Sequence, residues 1–197
     1  MPLLTVARWR TLNPAIGTDA AIDIQVEESI LQVQERIATM AGARWVVPQL
    51  SVVDTVTFAT TTLTADGADY SADYGFAAGD DIYIGSSYRN DGYFALSSAS
   101  NAVLTLNQTP FGGSSTVSTS WVDELEGASV IVGVVRWPIG LQGIAARFVT
   151  YDVFDRTASP GLPGARAAGV QTQTGGMFGY PRAFITELQQ LVGKRFI

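Results

Sequence analysis

The side chains that could do chemistry in this sequence are mostly carboxylates. Asp66, Asp69 and Asp73 stand close together, and Asp80-Asp81 follows. Grouped acids can hold calcium, which takes six to eight oxygens, or flank a sugar as a glycosidase pair about 5–9 Å apart. Their spacings of three and four do not match an EF-hand loop, and no glutamate closes such a loop here. Solvated acids in β turns are the favoured reading. A second set is aromatic: Tyr70, Tyr74, Phe76, Tyr83, Tyr88, Tyr93 and Phe94 could stack bases or sugars. Core and barrel packing is the favoured account of these rings, because the segment around them is too acidic to suit a phosphate backbone.

The residues that most other chemistries need are missing. The chain has no histidine and no cysteine, and Lys194 is its only lysine. That excludes a Ser-His-Asp triad, a thiolate nucleophile, a zinc ribbon and a disulfide framework. A Schiff base could form only at Lys194. The glycines at 175, 176 and 179 lack the order of a phosphate-binding loop, and no lysine follows them in the required place. The expected cofactors and metals are therefore none.

Composition supports a folded chain of low charge. Of 197 residues, 47% are hydrophobic and 15% charged, against a usual charged share of about 25%. Subunits of assemblies bury surface in their neighbours and can do without charge there. The most apolar run, Ala128–Val135, is eight residues long, far short of the roughly 20 a spanning helix needs. The first ten residues carry two arginines with no apolar stretch after them, so neither a membrane span nor a signal peptide is expected.

Charge divides the chain into three candidate parts, at 1–48, 49–135 and 136–197. They carry net charges of −1, −9 and +4. In the first, Asn13-Pro14 marks a turn and Thr18 or Asp19 can cap a helix. Ile22, Val26, Ile30, Val33, Ile37 and Met40 then form one apolar stripe. Glu27, Glu28, Gln32, Glu35 and Arg36 lie off that stripe, and Gly42 is the expected stop. In the second part the period changes to two. Val52–Phe58, the threonine run 60–64, Ile82–Ile84, Tyr93–Leu96, Val103–Leu106 and Val130–Val135 read as short strands, with Asn90-Asp91-Gly92 as a turn. A small antiparallel barrel or sandwich follows from that spacing. In the third, Trp137-Pro138 places proline at the first position of a helix running to Arg156. Residues 159–179 hold six glycines and two prolines and read as an extended arm, with 170–174 able to pair as a strand. Tyr180-Pro181 opens a last helix with Phe184, Leu188 and Leu191 inward and Gly193 as its end.

The order of these parts resembles the head–tail connector (adaptor) proteins of long-tailed bacteriophages. The likeness rests on the N-terminal helix and on Trp137-Pro138-Ile139-Gly140-Leu141-Gln142 running into Ala145-Ala146-Arg147-Phe148-Val149. It continues through Tyr151-Asp152, Arg156, Gly169-Val170-Gln171-Thr172 and Gly179-Tyr180-Pro181. The segment from Gly79 to Leu106 is similar to small β-barrel modules of phage neck and tail proteins. The fold expected is α+β: a helical adaptor core, with a long N-terminal helix and two C-terminal helices, interrupted by an inserted β module. The resemblance implies a non-enzymatic ring, typically of twelve subunits, docked under the portal protein and extending the DNA channel toward a stopper or tail-completion protein. Genome DNA would pass without sequence-specific binding, and an insert of net −9 facing the lumen would repel it. The protein would reside in the virion neck and be soluble in the host cytoplasm beforehand. The interface residues expected are Val170, Gln171, Thr172, Met177, Phe178, Tyr180, Arg182, Arg195, Phe196 and Ile197. Alternatives are a stopper or tail-completion protein, a glycan- or calcium-binding β module, or, less favoured, a carboxylate-dependent hydrolase.

Overall fold

A computed structural model describes residues 2–41, 45–65, 67, 69–111, 119–124, 129–156 and 180–193. The fold is mixed α+β, and the chain divides into two compact units. One comprises Met1–Pro2, Ala43–Pro110 and Ser115–Trp137; the other comprises Leu3–Gly42, Phe111–Ser114 and Pro138–Ile197.

The helical unit contains α1 (Val6–Leu12), α2 (Ala20–Ala41), α3 (Leu141–Thr150), a π-helical turn (Tyr151–Arg156) and α4 (Arg182–Val192). Helix α1 was not anticipated, because seven residues are too few to show a periodic stripe. It is capped by Thr5, whose hydroxyl accepts from the Arg8 N–H, and it buries Val6 and Trp9. Helix α2 follows the expected stripe, and the Asp19 carboxylate accepts from the Ala21 N–H at 2.8 Å. Its buried face is wider than one stripe, since α1, α3 and the π turn all pack on it. Glu27 and Gln34 are buried as a result, contrary to the polar placement expected for Glu27. Among the described residues neither Glu27 carboxylate oxygen has a hydrogen-bond partner.

Two further corrections concern helix limits and faces. Helix α3 begins at Leu141 rather than at Pro138, because Pro138–Gly140 forms a turn closed by the Leu141 N–H on the Pro138 carbonyl. Helix α4 ends at Gly193 in the left-handed region, φ 66°, where glycine carries no Cβ penalty. Its inward side chains are Ile185, Leu188 and Val192, with Phe184 half-buried and Leu191 exposed. The helix begins at Arg182, and packing selects the set 185, 188 and 192 over the equally helical spacing 184, 188 and 191. The stretch expected to form the arm, and the Gly42 stop, lie outside the described residues.

The other unit is a six-stranded antiparallel sheet: β1 (Val46–Phe58), β2 (Thr62–Ala65), β3 (Asp81–Gly85), β4 (Gly92–Ser100), β5 (Val103–Leu106) and β6 (Ser129–Val135). The pairing order β1-β2-β5-β4-β3-β6, with β6 back on β1, closes it into a barrel. Alternation sends Val52, Val56, Phe58, Ile82, Ile84, Val130, Val132 and Val134 into one apolar core with Leu63, Leu104 and Trp121. Strand β1 starts at Val46, ahead of the valine run, and bulges between Val46 and Ser51. Pro48 sits inside that bulge, where its missing N–H costs no ladder bond, and the Ser51 hydroxyl donates to the Val47 carbonyl at 2.7 Å.

Candidate functional site

Of the acids that might have gathered on an ion, Asp69, Asp80 and Asp81 are each engaged separately. Asp69 caps its own turn, accepting from the N–H groups of Ser71 and Ala72 and from the Ser71 hydroxyl. The Ala72 N–H bond is the chief reason its pKa falls below the usual carboxylate range. Asp80 accepts from the Ala77 N–H at 3.0 Å and pairs with Arg136 at 2.8 Å. Asp81 is buried and accepts from the indole N–H of Trp137. Burial pushes the Asp81 carboxyl up to about 6; the hydrogen bond from Trp137 opposes the shift and the Asp80 charge adds to it. Among the described residues no group of three or more acids could hold a metal ion. Asp66 lies outside them.

Strand register distributes the aromatic residues over two faces. Tyr70 and Phe76 join the core edge-to-face at 5.5 Å, while Tyr74 and Phe94 pack partly buried against it. Tyr83 and Tyr93 sit opposite each other in β3 and β4 and point outward, so core packing does not account for them. Tyr88, at 83% exposure, belongs to no core at all.

Tyr83 and Tyr93 belong to a continuous apolar face on the outside of the barrel. Trp45, Trp137, Tyr93 and Tyr83 form a chain of rings with centres 5.3, 5.5 and 5.1 Å apart. All four are half-buried. Next to them Val53 and Ile131 stand opposite each other in β1 and β6, 67% and 39% exposed. Two glycines keep this face flat. A Cβ on Gly85 would come within 2.8 Å of the Tyr83 ring, and one on Gly133 would come within 2.6 Å of the Ser51 hydroxyl. Where the chain enters and leaves the barrel, the Arg136 N–H donates to the Trp45 carbonyl at 2.9 Å, directly beside the Trp45–Trp137 contact.

The loop between β3 and β4 is a second prepared feature. Ser86 holds φ at 68°, a region that costs a non-glycine residue about 1–2 kcal/mol. The Ser87 hydroxyl donates to Glu124 at 3.0 Å and accepts from the Asn90 N–H at 2.6 Å. Buried Asn90 makes a two-way bond with the backbone of Val122, donating at 2.9 Å and accepting at 2.7 Å. This framework leaves Tyr88 and Arg89 exposed at the tip. The turn itself was readable in Asn90-Asp91-Gly92; its anchoring to residues 122–124, some 30 positions away, was not.

In the helical unit, Arg36 donates to Asp152 at 3.0 Å and to the Tyr180 hydroxyl at 2.6 Å, and that hydroxyl donates to Asp152 at 2.6 Å. Burial, reinforced by Asp152, raises the Tyr180 pKa, and Arg36 opposes that rise. Phe148 stacks on Tyr180 with ring centres 4.3 Å apart. The π turn places Asp152 where this triad needs it. Of the expected interface residues, Tyr180 is therefore buried within its unit, and Arg182 is exposed on the first turn of α4. Val170, Gln171, Thr172, Met177, Phe178, Arg195, Phe196 and Ile197 lie outside the described residues. No protein-family model matches the chain, and no curated protein is significantly similar to it in sequence.

Proposed function

We propose that the protein is a structural head–tail connector (adaptor) subunit of a long-tailed phage neck, non-enzymatic and homo-oligomeric. It would form a ring, of twelve subunits by family resemblance, that binds the portal protein and extends the DNA channel toward a stopper or tail-completion protein. The observation that carries this reading is the use made of the polar and apolar groups. Asp69, Asp80 and Asp81 are engaged in a turn, an ion pair and a hydrogen bond, whereas Val53 and Ile131, beside four half-buried rings, present apolar surface to solvent on a closed barrel. Contiguous exposed apolar surface of this kind marks interaction sites. The order of residues from Trp137 to Val149, and Tyr180-Pro181 before the last helix, adds the connector family as the specific class.

The test is to mix the purified full chain with the portal protein and examine it by light scattering and electron microscopy. Rings seated on the portal are the expected result. A chain that stays monomeric and fails to bind portal at micromolar concentrations overturns the reading. Binding only to an already assembled portal–connector complex would instead identify a stopper or tail-completion protein.

A further inference from the structure

Aromatic rings in serial contact can pass an electron as well as pack. Trp45, Trp137, Tyr93 and Tyr83 form such a series on the barrel, with centres 5.3, 5.5 and 5.1 Å apart and every ring half-buried. The indole N–H of Trp137 donates to the buried carboxylate of Asp81, so an oxidised indole has a base within reach of its proton. Neighbouring Asp80 is engaged by Arg136 at 2.8 Å. Trp9 and Trp121 are buried elsewhere, and their ring contacts among the described residues are phenylalanines, which end such a path. Tyr88, though 83% exposed, touches no ring among the described residues.

We propose that this row carries a one-electron oxidation from Trp45 and Trp137 to Tyr83, with the Asp81 carboxylate holding the Trp137 proton in transit. The oxidant is a small one-electron oxidant in solution, of the class of the carbonate radical anion. It removes one electron from the Trp137 indole, and the N–H proton passes along the existing hydrogen bond to Asp81. A neutral indolyl radical and a carboxylic acid remain. Tyr83 then gives an electron through the Tyr93 ring to the indolyl, Asp81 returns its proton to the indole nitrogen, and the Tyr83 phenol releases its own proton to water. The net change is one electron to the oxidant, one proton to water and a tyrosyl radical at Tyr83, with Trp137 and Asp81 restored. Burial holds the Tyr93 phenol up at about 12, and Tyr83 adds to that shift, so Tyr93 is a bridge and Tyr83 the resting place. The chain has no cysteine and so no thiol to take such damage. The row moves it off the tryptophans where the chain enters and leaves the barrel. This activity goes beyond the connector reading and does not depend on it.

The test exposes the purified full chain to carbonate radicals made by pulse radiolysis, above neutral pH where Asp81 is ionised. Transient absorption follows tryptophanyl and tyrosyl radicals, and peptide mass spectrometry locates the modified residues. The expected result is a tryptophanyl signal that decays into a tyrosyl signal, with products at Tyr83 ahead of the more exposed Tyr88. Tyr83→Phe removes only a hydroxyl and disturbs folding little; it should abolish that decay and leave the tryptophanyl radical long-lived. Trp137→Phe should lower the Tyr83 products relative to those at Tyr88. Asp81→Asn keeps an acceptor for the indole N–H but no base, so the protonated radical cation should replace the neutral tryptophanyl spectrum. Tyr88 modified ahead of Tyr83 in the unaltered chain, or a tryptophanyl decay unchanged by Tyr83→Phe, overturns the relay. A neutral tryptophanyl spectrum that persists in Asp81→Asn overturns the role given to Asp81.

Discussion

In the helical unit Arg36, Asp152 and Tyr180 carry charge and hydroxyl groups into a packed interior. In the barrel Val53, Ile131 and Tyr83 carry apolar surface out to water. Both arrangements run against the ordinary partition of polar and apolar side chains, but they act differently. The members of the inward polar triad bond one another and tie α2, the π turn and the start of α4 together. The outward apolar face contributes little to the barrel's own core, which is filled by the opposite set of strand positions. One inversion is a lock within the fold, and the other leaves hydrocarbon in water.

The largest effect should come from opening the lock. Asp152→Ala leaves a half-buried guanidinium without its carboxylate, and breaking such pairs costs about 3–5 kcal/mol. Urea unfolding should show this as a lower midpoint, with Tyr180→Phe milder because the Arg36–Asp152 pair survives. A carboxyl on the barrel side gives the next effect. Asp81 is held protonated up to about 6 in the fold, against about 3.9 when unfolded. The folded state therefore binds the proton more tightly, and stability falls by about 2–3 kcal/mol as pH rises from 4 to 6. Asp81→Asn should flatten that slope in thermal melts taken across the interval; a slope that persists would assign it to another group. Asn90→Ala, which strips both partners from the Val122 backbone, should cost about 1–3 kcal/mol. Faster amide exchange at Val122 would locate the loss. The smallest stability effect belongs to Val53→Thr, within about 0.5 kcal/mol. Were it to destabilise the barrel as strongly as Asp152→Ala destabilises the helices, the contrast between lock and surface would collapse.

Much of the architecture could be read along the chain. The 3.6-residue stripe of α2, the aspartate cap before it, the glycine at 193 and the two-residue alternation of Val130–Val135 are local signals, and each is set by neighbours within a turn or a strand. The misplacements have equally local causes. Glu27 looked solvent-facing because a single stripe assumes one packing partner, whereas α2 has three. Leu191 looked inward because Phe184, Leu188 and Leu191 keep helical spacing as well as Ile185, Leu188 and Val192 do, and only packing chooses between the two sets. Tyr83 and Tyr93 looked like core because aromatic type carries no information about which side of a sheet a residue faces.

The candidate surface was hidden for the same reason. Strand periodicity says that residues 53 and 131 each alternate against their neighbours, but only the β1–β6 register sets them side by side. Only that register, continued through β3 and β4, aligns them with Tyr83 over Gly85 and with the tryptophans where the chain enters and leaves the barrel. The triad is likewise a product of long-range folding: Arg36 and Tyr180 lie 144 residues apart. Local backbone preference, hydrophobic period and net charge are properties of short stretches, so the residues alone decided the element types, the acidic middle part and the chemistries that are ruled out. Which face is dry, which acid is buried and which hydrocarbon is left in water depend on partners brought from distant parts of the chain, and those were decided by the tertiary structure.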